Sequence, residues 1–202
     1  MKIKSLRSLE VLDSRGKPTI MTSVYLEDGS KGTAMVPSGA STGSLEAYEL
    51  NDNEPDRYLG SGKLKAVENS NKKIFEGLAG LDASDQKLID ETMIEIDGTE
   101  NKNNLGANTI LAASIATARA SASSANIPLY EYLNITFNKM FSTKVQMSMP
   151  RPMLNIFNGG SHANNTIDIQ EFMILPSKNI PFKKGLRMST EVYMNLKILL
   201  SQ

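Results

Sequence analysis

Apolar and polar residues alternate with a period of two near the start of the chain. One set of this alternation is Ile20, Thr22, Val24 and Leu26. Such alternation is typical of a half-buried β-strand. Turn-forming residues at 13–18 separate it from an earlier strand, and Asp28-Gly29 leads into a third strand from Lys31 to Val36. The pattern predicts a three-stranded β-meander over residues 1–37.

The spacing of the apolar residues becomes helical after a polar, loop-rich segment at 38–60. Recurrence three and four positions apart predicts helices at 63–78, 85–96 and 107–118. Ser84 is the predicted N-cap of the second helix, and Pro128 is predicted to begin a short helical turn that ends at Tyr132. The third helix also has a small, hydroxylated face, so we expect it to pack on more than one side.

A polar segment then divides the chain. Residues 134–148 are rich in Asn, Lys, Ser and Thr, a composition that predicts a linker. Apolar runs at 152–157 and 167–176 predict two buried strands, and helical spacing returns at 182–200.

Two strands and one helix after residue 149 are too few to close a layered domain. We therefore expect the second unit to be incomplete, with an unpaired apolar edge and an uncovered face. Poor solubility or a molten C-terminal third is expected, while residues 1–133 stay compact.

Composition excludes some classes of protein. Lys plus Arg and Asp plus Glu balance at 22 each among 202 residues, which argues against nucleic-acid binding by bulk charge. The absence of cysteine excludes disulfides and thiolate metal sites, and it is consistent with a reducing compartment. No apolar run approaches the length of about 18 residues that a membrane helix needs. The start of the chain lacks the apolar core of a signal peptide, so a cytoplasmic location is expected.

The only histidine, His162, follows a Gly159-Gly160 pair. Glycines let the backbone turn sharply and approach a ligand closely. A second polar pair, Gln170-Glu171, lies in the next apolar run, so a polar pocket at the end of a sheet is predicted. The residues alone leave two alternatives open. His162 is either a ligand or a solvated loop side chain, and Glu171 is either buried against a cation or polar substrate or exposed.

The loop Pro37-Ser38-Gly39-Ala40-Ser41-Thr42-Gly43 directly follows a predicted strand. Its glycines and hydroxyls permit close approach of an anion or a hydrated cation, although a flexible surface loop has the same composition. It lacks the Gly-Lys-Ser/Thr ending of a Walker P-loop. For Asp13-Ser14-Arg15 we expect ion pairing within the sheet and no chemistry.

These segments together resemble the enolases (phosphopyruvate hydratases), in the family's order and across nearly the whole chain. The resemblance is carried by 13–19, 37–43, 57–60, 97–102, 106–108, 128–130, 158–163 and 170–174. It implies an α+β N-terminal domain, a three-stranded meander plus helices, followed by the start of an enolase-type α/β barrel. The implied boundaries are a cap domain at 1–133, a linker at 134–148 and a truncated barrel domain at 149–202.

The resemblance also implies Mg²⁺-dependent interconversion of 2-phosphoglycerate and phosphoenolpyruvate. Ser41 matches the loop residue that ligates the second Mg²⁺, and Gly39, Ala40 and Thr42 belong to the same lid. His162 matches a histidine of the substrate pocket. Gln170 and Glu171 match the substrate-binding pair, and Glu171 also assists departure of the hydroxyl group.

The 202 residues lack one motif of the family pattern. No Gly-Asp-Glu-Gly-Gly motif occurs in them. The resemblance places the first-metal carboxylates and the base lysine beyond that motif, so we expect these residues alone to be inactive. Two hypotheses stay open, a fragment of an active enolase and a non-catalytic truncated enolase that acts as an interaction protein. An unrelated phosphate-binding module is the least favoured reading.

Members of the family are usually homodimers. Leu9 and Met21 stand where many members carry an Arg and a Glu that pair across the dimer interface. The usual homodimer is therefore doubtful for this chain.

Overall fold

The structure, a computed structural model, describes residues 1–39, 43–160 and 164–201. The chain forms two compact units, Met1–Val145 and Gln146–Gln202. The boundaries expected from the sequence, at residues 133 and 149, lie on either side of this division and stay predictions.

The first unit begins with the predicted meander. Strands β1 (Ile3–Leu12), β2 (Pro18–Leu26) and β3 (Lys31–Met35) form an antiparallel sheet in the order β1-β2-β3. Gly29 has a φ of +88°, which L-residues with a side chain rarely adopt, and it lets the chain turn between β2 and β3. The prediction of a three-stranded sheet followed by helices is confirmed.

The helices of the first unit follow the sheet in sequence. They are α1 (Leu64–Asn69), a π-helical turn (Ser70–Ile74), α2 (Phe75–Leu78), α3 (Gln86–Asp97), α4 (Ala107–Ser124) and α5 (Leu129–Met140). The side chain of Asp85 accepts a hydrogen bond from the Leu88 N–H and is the N-cap of α3. The sequence pointed to Ser84, one residue earlier, and that prediction is wrong.

Helix α4 lies closest to the sheet. A Cβ atom on Gly32 of β3 would lie 2.1 Å from the Ala116 carbonyl oxygen and 2.2 Å from the Ala120 nitrogen. Both alanines are fully buried, as are Ala112 and Ala113 on the same helix. Small residues on both elements therefore let the sheet and the helix approach. Helix α4 also contacts α3 and α5, which confirms that it packs on more than one side.

The π-helical turn is bound to the outer edge of the sheet. The Asn71 side chain accepts a hydrogen bond from the Ser8 N–H at 2.7 Å and donates one to the Ser8 carbonyl at 3.1 Å. The Ser8 hydroxyl also bonds to Ser70 and to Thr22, each at 2.7 Å. A side-chain amide thus satisfies the backbone groups of β1 at Ser8 that a further strand would satisfy.

Helix α5 extends further than the sequence indicated. It continues to Met140, seven residues into the segment expected to be a linker. The asparagines that suggested a linker instead bind the following chain. The Asn134 side chain donates to the Val145 carbonyl at 3.0 Å, and the Asn138 side chain accepts from the Val145 N–H at 2.7 Å.

The second unit contains β4 (Leu154–Asn158), β5 (Glu171–Ile174) and α6 (Phe182–Leu200), and the two strands pair antiparallel. The prediction that both strands are buried is wrong, because Phe172 and Met173 are 42% and 47% exposed. A two-stranded sheet with a single helix has too few apolar partners to cover both faces. The expected uncovered apolar face is present in the described part of this unit.

Candidate functional site

The loop after β3 is anchored where it leaves the sheet. The Ser38 carbonyl accepts a hydrogen bond from the Arg15 guanidinium at 2.8 Å, and the Ser38 hydroxyl donates to the Glu49 carboxylate at 3.0 Å. Gly39, the next residue, is exposed. The loop residues predicted to follow it in the site, Ala40 and Ser41, lie outside the described residues.

The turn between β1 and β2 fixes Arg15. Asp13 forms the expected ion pair with Arg15 at 2.9 Å, in the turn rather than within the sheet. The Lys17 backbone N–H, together with the Arg15 guanidinium, lowers the pKa of Asp13 below its usual range. Asp13 and Arg15, for which the sequence predicted ion pairing but no chemistry, therefore hold the start of the candidate loop.

A buried lysine supports the other anchor of the loop. Lys63 is 2% exposed, and its ammonium group contacts the Glu49 carboxylate at 2.7 Å and the side-chain oxygen of Asn51. Glu49 thus bridges Lys63 and Ser38. Sequence reasoning missed this link, because a lysine at the start of a helix usually has a solvated side chain.

A second ion pair holds the segment that carries Glu49. Asp52 is 2% exposed, accepts hydrogen bonds from the Leu64 and Lys65 N–H groups at 2.9 and 2.8 Å, and pairs with Arg57 at 3.1 Å. Arg57 also binds Glu10 of β1. Burial raises the pKa of Glu10, but hydrogen bonds from Arg57 and from the Lys63 N–H outweigh it and leave that pKa lowered.

The Gly159-Gly160 turn of the second unit fits against the chain before β5. The Gly159 N–H donates to the Gln170 carbonyl at 3.0 Å, and the Gly160 N–H donates to the Ile167 carbonyl at 2.6 Å. A Cβ atom on Gly159 would lie 2.5 Å from the carbonyl oxygens of Ile167 and Ile169. Only glycine fits at this position without a backbone shift.

The polar pair Gln170-Glu171 lies beside this turn. Glu171 opens β5 and pairs in register with Asn158, the residue just before the two glycines. Both Gln170 and Glu171 are exposed, so the reading in which Glu171 is buried is wrong. Glu171 stands at the first position of a strand in a two-stranded sheet, where none of the described residues buries its side chain. His162 lies outside the described residues.

The predicted site residues that the structure describes fall in different units. Gly39 belongs to Met1–Val145, whereas Gln170 and Glu171 belong to Gln146–Gln202. The structure brings Gln170 and Glu171 together with the Gly-Gly turn.

Metal-ligating side chains do not cluster in the described parts of the chain. Within 1–39, 43–160 and 164–201, no group of three or more His, Asp or Glu side chains is placed to hold a metal ion. These residues alone do not fit a magnesium cage, and the expected ligand Ser41 is not among them. None of the described helices combines the length and apolar character needed to cross a membrane.

Two family models match the chain. The one described as the enolase N-terminal domain matches residues 3–133, and the one described as the enolase C-terminal TIM barrel domain matches residues 146–202. The first match covers the sheet and most of the helical layer, and the second covers the Gly-Gly turn and the Gln170-Glu171 pair. The chain belongs to the enolase family.

Proposed function

We propose that this chain carries part of the machinery of the enolase reaction, the Mg²⁺-dependent dehydration of 2-phosphoglycerate to phosphoenolpyruvate. The observation that supports this most is the pairing of Asn158 with Glu171. It sets the exposed Glu171 carboxylate beside a glycine turn in which a Cβ atom on Gly159 would clash with backbone oxygens. His162 follows this turn closely in the sequence.

In this proposal the residues of the chain bind the substrate and assist loss of water. Gln170 and His162 bind the substrate, and Gly39 and Ala40 contact it from the loop after β3. Dehydration removes the proton next to the substrate carboxylate and releases the hydroxyl group from the neighbouring carbon. Glu171 assists departure of that hydroxyl as a general acid.

Magnesium is the cofactor that family membership supports, and it supplies positive charge to the carboxylate as the proton leaves. Ser41 is the residue proposed to reach it. The described residues hold no cluster of three or more carboxylate or imidazole side chains that fits the ion.

We also propose that a polypeptide of these 202 residues does not turn over substrate by itself. It contains no Gly-Asp-Glu-Gly-Gly motif, beyond which family resemblance places the base lysine and the first-metal carboxylates. The second candidate function is a non-catalytic enolase that acts as an interaction protein. The absence of cysteine is consistent with the cytoplasmic location that we propose.

The test compares two proteins in an assay that follows the ultraviolet absorbance of phosphoenolpyruvate. The 202-residue chain is expected to show no turnover with Mg²⁺. A chimera that continues after Gln202 into the barrel of an active enolase is expected to be active. In this chimera Glu171→Gln should lower kcat by about 10²–10⁴, the usual contribution of a general acid.

Glu191→Gln is the matched control, because Glu191 lies on α6 with a 59% exposed side chain. It should leave kcat unchanged. Turnover by the 202-residue chain would contradict its proposed inactivity. A folded but inactive chimera would favour the interaction protein, and equal losses in both variants would remove Glu171 from the reaction.

A further inference from the structure

The segment that carries Glu49 is bound to the start of α4 on both sides of this residue. The Tyr48 carbonyl accepts a hydrogen bond from the Ala107 N–H at 2.8 Å. The Asn108 side chain accepts from the Leu50 N–H at 3.1 Å and donates to the Leu50 carbonyl at 3.2 Å. The backbone at Glu49 therefore has a fixed position relative to the helical layer of the first unit.

The Glu49 carboxylate binds a different group with each of its oxygens. Oε1 accepts from the Lys63 ammonium group at 2.7 Å, and Oε2 accepts from the Ser38 hydroxyl at 3.0 Å. The ammonium group also donates to the side-chain oxygen of Asn51. Because a charged donor on one oxygen fixes the direction of the carboxylate, the other oxygen stays aimed at Ser38. Lys63 therefore acts on Ser38 through Glu49.

The backbone of Ser38 is held as well as its side chain. Its carbonyl accepts from the Arg15 guanidinium at 2.8 Å. Two residues earlier, the Val36 N–H donates to the Ile20 carbonyl of β2 at 3.2 Å. Gly39 follows Ser38 directly and is exposed. The contacts of Ser38 therefore set the position of the Gly39 peptide.

The burial of Lys63 is not explained by stability alone. The Lys63 side chain is 2% exposed, whereas that of its partner Glu49 is 31% exposed. Desolvation of a buried ammonium group offsets much of the attraction to its partner, and apolar side chains of similar size are often at least as stable as a buried ion pair. What the charge of Lys63 adds is a fixed direction for the carboxylate that binds Ser38.

We propose that Lys63 is a positioning residue for substrate binding. It orients the Glu49 carboxylate, the carboxylate holds Ser38, and Ser38 sets where the Gly39 peptide meets the substrate. This inference rests on the proposed function, in which Gly39 contacts the substrate. It adds a residue outside the loop on which the affinity for substrate depends.

The first test follows the Gly39 peptide without any assay of activity. The 202-residue chain is labelled with ¹⁵N-glycine, and the Gly39 amide signal is recorded in the parent chain and in Lys63→Met, which has an unbranched side chain without the charge. The signal should shift, because Glu49 is no longer oriented. Lys72→Met is the matched control, because Lys72 forms an exposed ion pair with Glu68 at 2.8 Å. It should leave the Gly39 signal unchanged.

The second test measures kinetics in the chimera with the barrel of an active enolase. Lys63→Met should raise KM for 2-phosphoglycerate by about five- to tenfold, the effect of one hydrogen bond. The kcat should change by less than about twofold, as expected when only substrate binding is weakened. Ser38→Ala should raise KM similarly, and Lys63→Met should add nothing in that background, because both residues act through one contact.

A paired variant separates positioning from folding. Lys63→Met/Glu49→Gln removes both charges and leaves no unpaired one behind. Its urea midpoint should match or exceed that of the parent chimera, whereas its KM should rise as in Lys63→Met. Lys72→Met should leave KM unchanged.

Three results would overturn the inference. They are an unchanged Gly39 signal in Lys63→Met, a KM close to that of the parent chimera in both variants of Lys63, and an equal further rise of KM in the Ser38→Ala background. An inactive parent chimera is a different outcome, which would contradict the proposed function and the inference with it.

Discussion

Asp97 is a single carboxylate that organises the turn after α3. It is 1% exposed and accepts hydrogen bonds from the Thr99 and Leu105 N–H groups, at 3.1 and 2.7 Å. Burial raises the pKa of Asp97, but these bonds and the Thr99 hydroxyl outweigh it and leave the pKa below its usual value of 3.8. The ionised form is therefore the one that stabilises the fold.

Because the pKa of Asp97 is lower in the folded chain than in the unfolded chain, its contribution to stability decreases as the pH falls. The contribution of Asp97 to the free energy of unfolding is fully present above the unfolded pKa near 3.8 and is lost as pH falls through the lower folded value. Asp97→Asn should therefore destabilise the chain by about 1–3 kcal/mol near pH 7, and the difference should shrink below pH 3.8.

Urea unfolding at a series of pH values measures this difference. Glu95→Gln on the exposed side of α3 is the control and should cost less than about 0.5 kcal/mol at every pH. A difference between Asp97→Asn and the parent chain that stays constant down to pH 2 would contradict the assignment.

Some features of single residues could be predicted from the sequence, and others could not. The need for glycine at Gly159 was anticipated, because a Gly-Gly pair after an apolar run is a local signal. The burial of Lys63 was not, because its partners Glu49 and Asn51 lie 14 and 12 residues earlier, and only the folded loop brings them to it. No local pattern distinguishes such a lysine from a solvated one.

The close contact between β3 and α4 depends on Gly32, because glycine has no Cβ atom. Gly32→Ala would introduce a Cβ atom 2.1 Å from the Ala116 carbonyl oxygen, and backbone atoms cannot rotate away. We expect a loss of about 1–3 kcal/mol in the free energy of unfolding, the usual cost of overpacking a core.

Thermal and urea unfolding, followed by circular dichroism, measure this loss. Gly43→Ala is the control, because its new Cβ would meet only the flexible Glu46 side chain, at 3.4 Å. Equal stability of the two variants would show that the sheet and α4 are not in close contact.

Elements were predicted best where the signal was local and periodic. The meander and the helices of the first unit follow from alternation and from three-and-four spacing. The extension of α5 to Met140 was not predicted, because composition cannot show that asparagines such as Asn138 bond to the chain beyond the helix end. The prediction that β4 and β5 are buried was wrong. An apolar sequence shows that a strand can be buried, but it does not show whether other elements pack against it.

The whole molecule combines two units of unequal packing. In the first unit, β2 is buried along most of its length. In the second, the described helix α6 has only Gly185 and Ser189 buried, and β5 has no buried residue. Local opening is easiest where few apolar contacts hold the backbone.

Limited proteolysis with a nonspecific protease should therefore cut within 146–202 first. A resistant product close to Met1–Val145 is expected, and intact mass spectrometry identifies it. Cleavage at the exposed ends of the first unit, in the same digest, shows that the protease is active and gives a rate with which cleavage in 146–202 is compared. Uniform protection of both units would contradict the difference in packing.

The pairing of Asn71 with Ser8 has a consequence for how copies of the protein meet. Free strand edges recruit strands from other molecules, the first step of amyloid-like growth. At Ser8 the N–H and carbonyl of β1 are already taken by one amide of the π-helical turn. Asn71 therefore blocks intermolecular sheet extension at this point of the β1 edge, because an added strand would find both backbone groups of Ser8 already paired.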